Sequence, residues 1–186
     1  MSRYVALLRA INVGGHVVKM DRLRVLFEQV GLTSVETLIA SGNVLFDAGA
    51  RNAAALETKI ERHLEQSLGY EVATFVRTAA EMAAVVAHDP FPGLVTDECT
   101  LSVAFLKAHP GAAVANRLHA MRTDYDELHV HQRELYWLFR GRTSDSTLWR
   151  TPMEKVVGGP GTVRNVTTVR KLAARESGRP TGLGAA

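Results

Sequence analysis

The order in which apolar patterns follow one another constrains this chain more than any single motif. A β-α-β-β-α-β-α succession runs from the N-terminus to Pro90, and the same order begins again after Phe91-Pro92-Gly93. Tyr4–Ile11, apolar except for Arg9, reads as a strand covered on both faces. Asn12-Val13-Gly14-Gly15 ends it with turn residues. Asp21 reads as a helix cap ahead of the stripe Leu23, Leu26, Phe27 and Val30, with Gly31 as the stop. Val35–Ala40 and Val44–Asp47 form a hairpin around Ser41-Gly42-Asn43. Asn52 caps a helix with Leu56, Ile60, Leu64 and Leu68 on one side. Glu71–Arg77 is a strand, and Thr78-Ala79-Ala80-Glu81 has the form of a capping box opening another helix.

The second round repeats this with Thr100–Lys107 as a strand and Pro110-Gly111 opening a helix through Val114, Leu118 and Met121. Asp126–His131 and Glu134–Arg140 make a hairpin around Gln132-Arg133. Thr151-Pro152-Met153-Glu154 reads as a second capping box, and Gly158-Gly159 cut its helix short. Thr162–Arg164 is a last short strand, and Asn165 caps a final helix to about Arg175. The expected fold is α+β, with two consecutive ferredoxin-like halves in residues 1–92 and 93–176 and a flexible tail in 177–186.

Composition narrows the class. In 186 residues, 46% hydrophobic and 22% charged content is that of a globular protein rather than a disordered chain. The single cysteine, Cys99, allows neither an internal disulfide nor a cysteine metal cluster, and Asp97 and Glu98 beside it make it a poor nucleophile. There is no apolar run long enough to span a membrane, and MSRYVALLRAINVGG lacks the apolar core of a secretion signal, so a cytosolic setting is expected. GxSxG, HExxH, CxxC and P-loop patterns are all missing, so no reaction is assigned and no cofactor is expected. His129 and His131 share a strand face, but a metal needs a third ligand that the sequence does not signal. They read as exposed strand histidines, and no metal is expected.

Charge is distributed unevenly. Residues 1–24 hold five basic side chains against one acidic, and residues 140–176 hold eight against three. The stretch 25–139 holds eight basic and fifteen acidic side chains. Basic ends that met in the fold would attract phosphates or other anions. Arg9 sits at the mouth of an apolar strand and must leave it or find a partner. Arg164-Asn165 places a guanidinium, an amide and helix N–H groups at one point, which is sound chemistry for holding an anion. Tyr136, Trp137 and Phe139 raise the question of base stacking, although Trp137 and Phe139 share a face with Leu135 as core residues do.

LLRAINVGG, IASGNVLF and TVRNVTTVRKL, in that order, resemble a bacterial family, domain-of-unknown-function family 1697, whose pattern runs LLRGINVGG, QSGNVVF and TTRNWNTV. The resemblance implies an α+β fold of two ferredoxin-like halves and supplies no activity, substrate or catalytic residue. Its signature falls here on Arg9, Asn12, Gly14, Gly15, Ser41, Gly42, Asn43, Arg164, Asn165 and Thr168. The chain departs from it with Ala10 for Gly, Ala40 for Gln, Val163 for Thr, Val166 for Trp and Thr167 for Asn. The last two remove a stacking surface and an amide.

Three readings stand. The first is a cytosolic protein binding a small phosphorylated or carboxylated molecule at a site built from those ten residues. There Arg9 and Arg164 would pair charge, the asparagines would orient and the glycines would offer N–H groups. The second is a nucleic-acid-binding module using the basic ends as a phosphate track. In the third, the signature residues are structural and tie the halves together.

Overall fold

The computed structural model describes residues 1–38, 42–49 and 52–177. Its first half runs β1 (Ser2–Leu8), α1 (Met20–Gln29), β2 (Thr33–Thr37), β3 (Asn43–Ala48), α2 (Ala53–Leu68), β4 (Thr74–Thr78) and α3 (Ala79–Ala87). The second runs β5 (Thr100–Leu106), α4 (Ala112–Ala120), β6 (Asp126–His131), β7 (Glu134–Phe139), α5 (Met153–Val157), β8 (Gly161–Asn165) and α6 (Val166–Ser177). Each half forms one four-stranded antiparallel sheet, in the orders β2-β3-β1-β4 and β6-β7-β5-β8. These are the same ferredoxin-like order, so the molecule is an α+β duplication.

Local chemistry explains several helix ends. Asn52 Oδ1 accepts from the Ala55 N–H, and Thr78 and Glu81 exchange both bonds of a capping box. Two expectations need correction. Lys19, not Asp21, occupies the cap position of α1; Asp21 lies inside the first turn, where it meets the positive end of the helix. The second capping box does not form, because Pro152 takes the cap position of α5 and leaves Thr151 one residue too early. Ser41 and the stretch after Ser177 lie outside the described residues.

Apolar side chains pack in three clusters. Alternate residues of β1 and β3 (Tyr4, Ala6, Leu8, Val44, Phe46) pack under α1 and α2. The opposite faces of both sheets meet α3 and α6 in a shared middle cluster containing Val5, Phe75, Val103, Tyr136 and Leu172. The far face of the second sheet (Ala104, Leu135, Trp137, Phe139) packs under α4 and α5.

Within that frame, each half sends one arginine from its last strand into the other. Arg77 in β4 stands opposite Val5, and Arg164 in β8 stands opposite Val103, the same register position. Arg77 donates from Nε to Glu134 at 2.6 Å and from Nη2 to the Leu106 and Arg133 carbonyls at 2.8 and 3.4 Å. Arg164 donates from Nε to Asn43 at 2.7 Å and from Nη2 to the Leu8 and Gly42 carbonyls at 2.9 and 3.4 Å. Glu134 and Asn43 begin corresponding strands, and Leu106 and Leu8 end corresponding strands. Each of these bonds across the halves has a counterpart in the other arginine.

Candidate functional site

Polar residues and helix breakers in Arg142–Pro160 give the second half a poorer cover than the first has. Between β7 and β8 the chain makes two 3-10 turns, Thr143–Asp145 and Leu148–Arg150, and then α5, which Gly158 ends in a left-handed turn. In the first half the same connection is α2, sixteen residues long, which buries Leu56, Ile60 and Leu64 on its sheet. The consequence shows at one register position. Val76, opposite Ala6, is fully buried, whereas Val163, opposite Ala104, is 36% exposed.

A cavity of about 420 Å³ occupies the uncovered place. Its floor is the sheet face of Ala104, Leu106, Leu135, Trp137 and Val163, and its walls are Trp149, Pro152, Met153 and Val157. A buried carboxylate fixes the wall. Asp126 accepts from the Trp137 indole at 2.8 Å, the Ser146 hydroxyl at 2.7 Å and the Thr123 hydroxyl at 2.9 Å. The Ser146 Oγ in turn accepts from the Trp149 N–H at 3.0 Å. Nothing in local spacing tied Asp126 to Trp149, and sequence reasoning missed both.

The cavity's polar rim has a counterpart in the first half that shows what the rim lacks. There the outer edge of β4 is capped by carboxylates of α2: the Val76 N–H donates to Glu57 at 2.7 Å and the Thr74 N–H to Glu61 at 2.8 Å. Lys107, just past β5, neutralises both at 3.2 and 2.6 Å. In the second half Arg9, just past β1, holds the place of Lys107 and pairs with Glu154 of α5. Gly161 and Val163 hold the register positions of Thr74 and Val76. Among the described residues no side-chain carboxylate caps their N–H groups. The lining itself holds one cation, Lys155, beside Glu154, and Arg9 stands at the rim on Glu154.

The residues named from the sequence divide among these structures. Arg164, Asn43 and Gly42 come together in the clasp, where burial pushes the Arg164 guanidinium down to about 10 and leaves it charged at neutral pH. Asn43 also donates to the Leu38 carbonyl. Asn12 accepts from the Val18 N–H at 2.7 Å and pins the loop that carries Gly14 and Gly15, both at positive φ. Asn165 accepts from the Thr167 N–H at the start of α6, and Thr168 is half-buried on that helix. Of the nine that lie among the described residues, Arg9 alone reaches the cavity rim, through Glu154.

Tyr136, Trp137 and Phe139 are 1%, 3% and 0% exposed, so these three belong to the core and offer no face for a base to stack on. Part of the basic charge at the two ends is paired. Arg3 meets Glu36 and Asp47, Arg140 meets Glu127, and Arg175 meets Glu36.

With this geometry in view, comparison with known proteins places the chain. The sequence profile described as "Protein of unknown function (DUF1697)" matches residues 1–136. The chain belongs to the DUF1697 family. Among solved structures it is similar to the conserved bacterial protein SP0830 from Streptococcus pneumoniae, with a TM-score of 0.77 and 22% identity over 95% of this chain and 99% of that one. No curated protein matches it. The DUF1697 match ends before Trp149, α5 and β8, so it covers most of the duplicated frame and little of the cavity wall. No helix among the described residues is long and apolar enough to cross a membrane.

Proposed function

We propose that this DUF1697 protein binds a small molecule with an apolar body and an anionic head, a carboxylate before a phosphate, in the cavity of its second half. One observation carries the reading. The first half caps the outer edge of its last strand with two carboxylates held by a lysine, and the second half keeps the strand edge and the cation but supplies one carboxylate and an open cavity. A ligand carboxylate supplies the missing acceptor for the Gly161 and Val163 N–H groups and a counter-ion for Lys155 and Arg9. Its apolar body takes the space against Trp137, Trp149 and Val163. The site is therefore not the ten-residue constellation read from the motifs; it keeps Arg9 from that set and adds α5, β8 and the tryptophans.

The test is a fluorescence titration with anilinonaphthalene sulfonate, an aromatic anion of this shape. The native protein gives a saturable rise. Val163→Trp, which fills the cavity from an already exposed position, abolishes it. Lys155→Gln weakens binding and Glu154→Gln tightens it, each by about three- to tenfold, the scale of one partly screened charge. Val25→Trp, exposed on α1, changes nothing. An unchanged titration in Val163→Trp, or the same sign for both charge variants, contradicts the proposal.

A further inference from the structure

Three of the chain's seven histidines meet where the two halves join. His88 follows the last turn of α3 as its cap, and His129 and His131 lie on β6, the edge strand of the second sheet. Cross-strand pairing puts His129 opposite Tyr136, on the sheet face that packs against α3. The Tyr136 hydroxyl donates to the Val85 carbonyl at 3.1 Å and holds α3 over that face. A ligating nitrogen from each of the three histidines lies within 4.8 Å of the others. The His88 and His131 rings stack at 3.9 Å, with His129 at 5.4 Å from His88.

The ordinary role of such residues is to satisfy the core, and His88 does not fit it. Its Nε2 is buried and has no hydrogen-bond partner among the described residues. Asp89, the nearest carboxylate in sequence, is exposed and accepts from the Phe91 N–H instead. Among the described residues no carboxylate makes a hydrogen bond or ion pair to any of the three imidazoles; Glu134, opposite His131 in the sheet, is held by Arg77. Burial first, and then the neighbouring histidines, hold His88 and His129 below the ordinary imidazole range. His119 adds to this for His129, while Asp89 opposes it at His88. The C-terminal end of α3 also points its partial negative charge at the cluster.

We infer that His88, His129 and His131 form a site for a divalent transition metal of the zinc class, with three imidazole ligands and an open fourth position. Tetrahedral zinc–imidazole bonds set the nitrogens roughly 3.3 Å apart. The rings therefore close inward by rotation on binding, which His131, at the exposed end of β6, is free to make. A metal would link α3 of the first half to the edge strand of the second. The site is independent of the cavity, which lies on the opposite face of the second sheet.

The experiment uses the full chain, stripped with a chelator, titrated calorimetrically with zinc chloride and spectroscopically with cobalt chloride. One equivalent binds, and tetrahedral cobalt gives intense visible absorption. His88→Ala, His129→Ala and His131→Ala each weaken binding by at least about tenfold and remove the absorption, as loss of a ligand does. His63→Ala, on α2, leaves both signals unchanged. Melting in the presence of chelator identifies any variant that fails to fold, and His131→Gln at the exposed strand end then carries the test. Absence of zinc binding by the native chain, or equal binding by a His129→Ala/His131→Ala double variant, overturns the inference.

Discussion

At the scale of single residues, two backbone positions explain why the signature segments are written as they are. Ala10 adopts φ +54°, a left-handed conformation that L side chains resist, at the position where the family pattern quoted above has glycine. Ala10→Gly should raise stability by about 0.5–1 kcal/mol in chemical denaturation, the strain relieved exceeding the added freedom of the unfolded chain. A drop in stability would show that the Ala10 methyl makes contacts worth more than the strain. Gly42 is the opposite case. It has φ +75°, and a Cβ there would stand 2.9 Å from Ile11 Cγ2 and 3.0 Å from Leu8 Cβ. Gly42→Ala should cost about 2 kcal/mol or more through overpacking and a displaced carbonyl in the Arg164 clasp. Local chemistry of this kind was legible in the sequence, as with Asn52, Asn165 and the Thr78–Glu81 box. Arg164 was not. Its partners Leu8, Gly42 and Asn43 are more than a hundred residues away, so no spacing rule separates a buried tie from an anion site.

At the scale of elements, β4 and β8 each lock onto the other half through an arginine, but the two locks differ in charge. Arg77 pairs with the buried Glu134, while the Arg164 bonds shown here go to amide and hydroxyl oxygens. Arg77→Met should therefore cost about 3–5 kcal/mol, because it strands a buried carboxylate. Arg77→Met/Glu134→Leu should recover much of that loss. Urea denaturation of the single and double variants checks it, and equal losses in the two would mean that Glu134 is not paired as described. Arg164→Met should melt lower with or without a ligand present, and so cannot by itself report on binding. The order of elements was readable because each periodic run stands between turn residues. The hairpin strands fell within a few residues of their expected places. The cavity was not readable, although its cause was: Gly158-Gly159 already cut the helix short, and only the fold shows what the missing turns leave open.

At the scale of the molecule, a duplicated unit carries one closed half and one open half. The duplication puts Arg9 and Lys107, Val163 and Val76, and Gly161 and Thr74 in corresponding places, which makes the first half an internal reference for the second. The differences then stand out as one missing carboxylate and an uncovered valine. Both tryptophans of the chain, Trp137 and Trp149, line that opening. Their indole N–H resonances are thus two direct reporters on the central claim. In a nitrogen–proton NMR titration with anilinonaphthalene sulfonate, both indole signals should move and saturate together, along with the amides of Gly161 and Val163. Indole signals that stay fixed while amides elsewhere shift would contradict a ligand site in the second half.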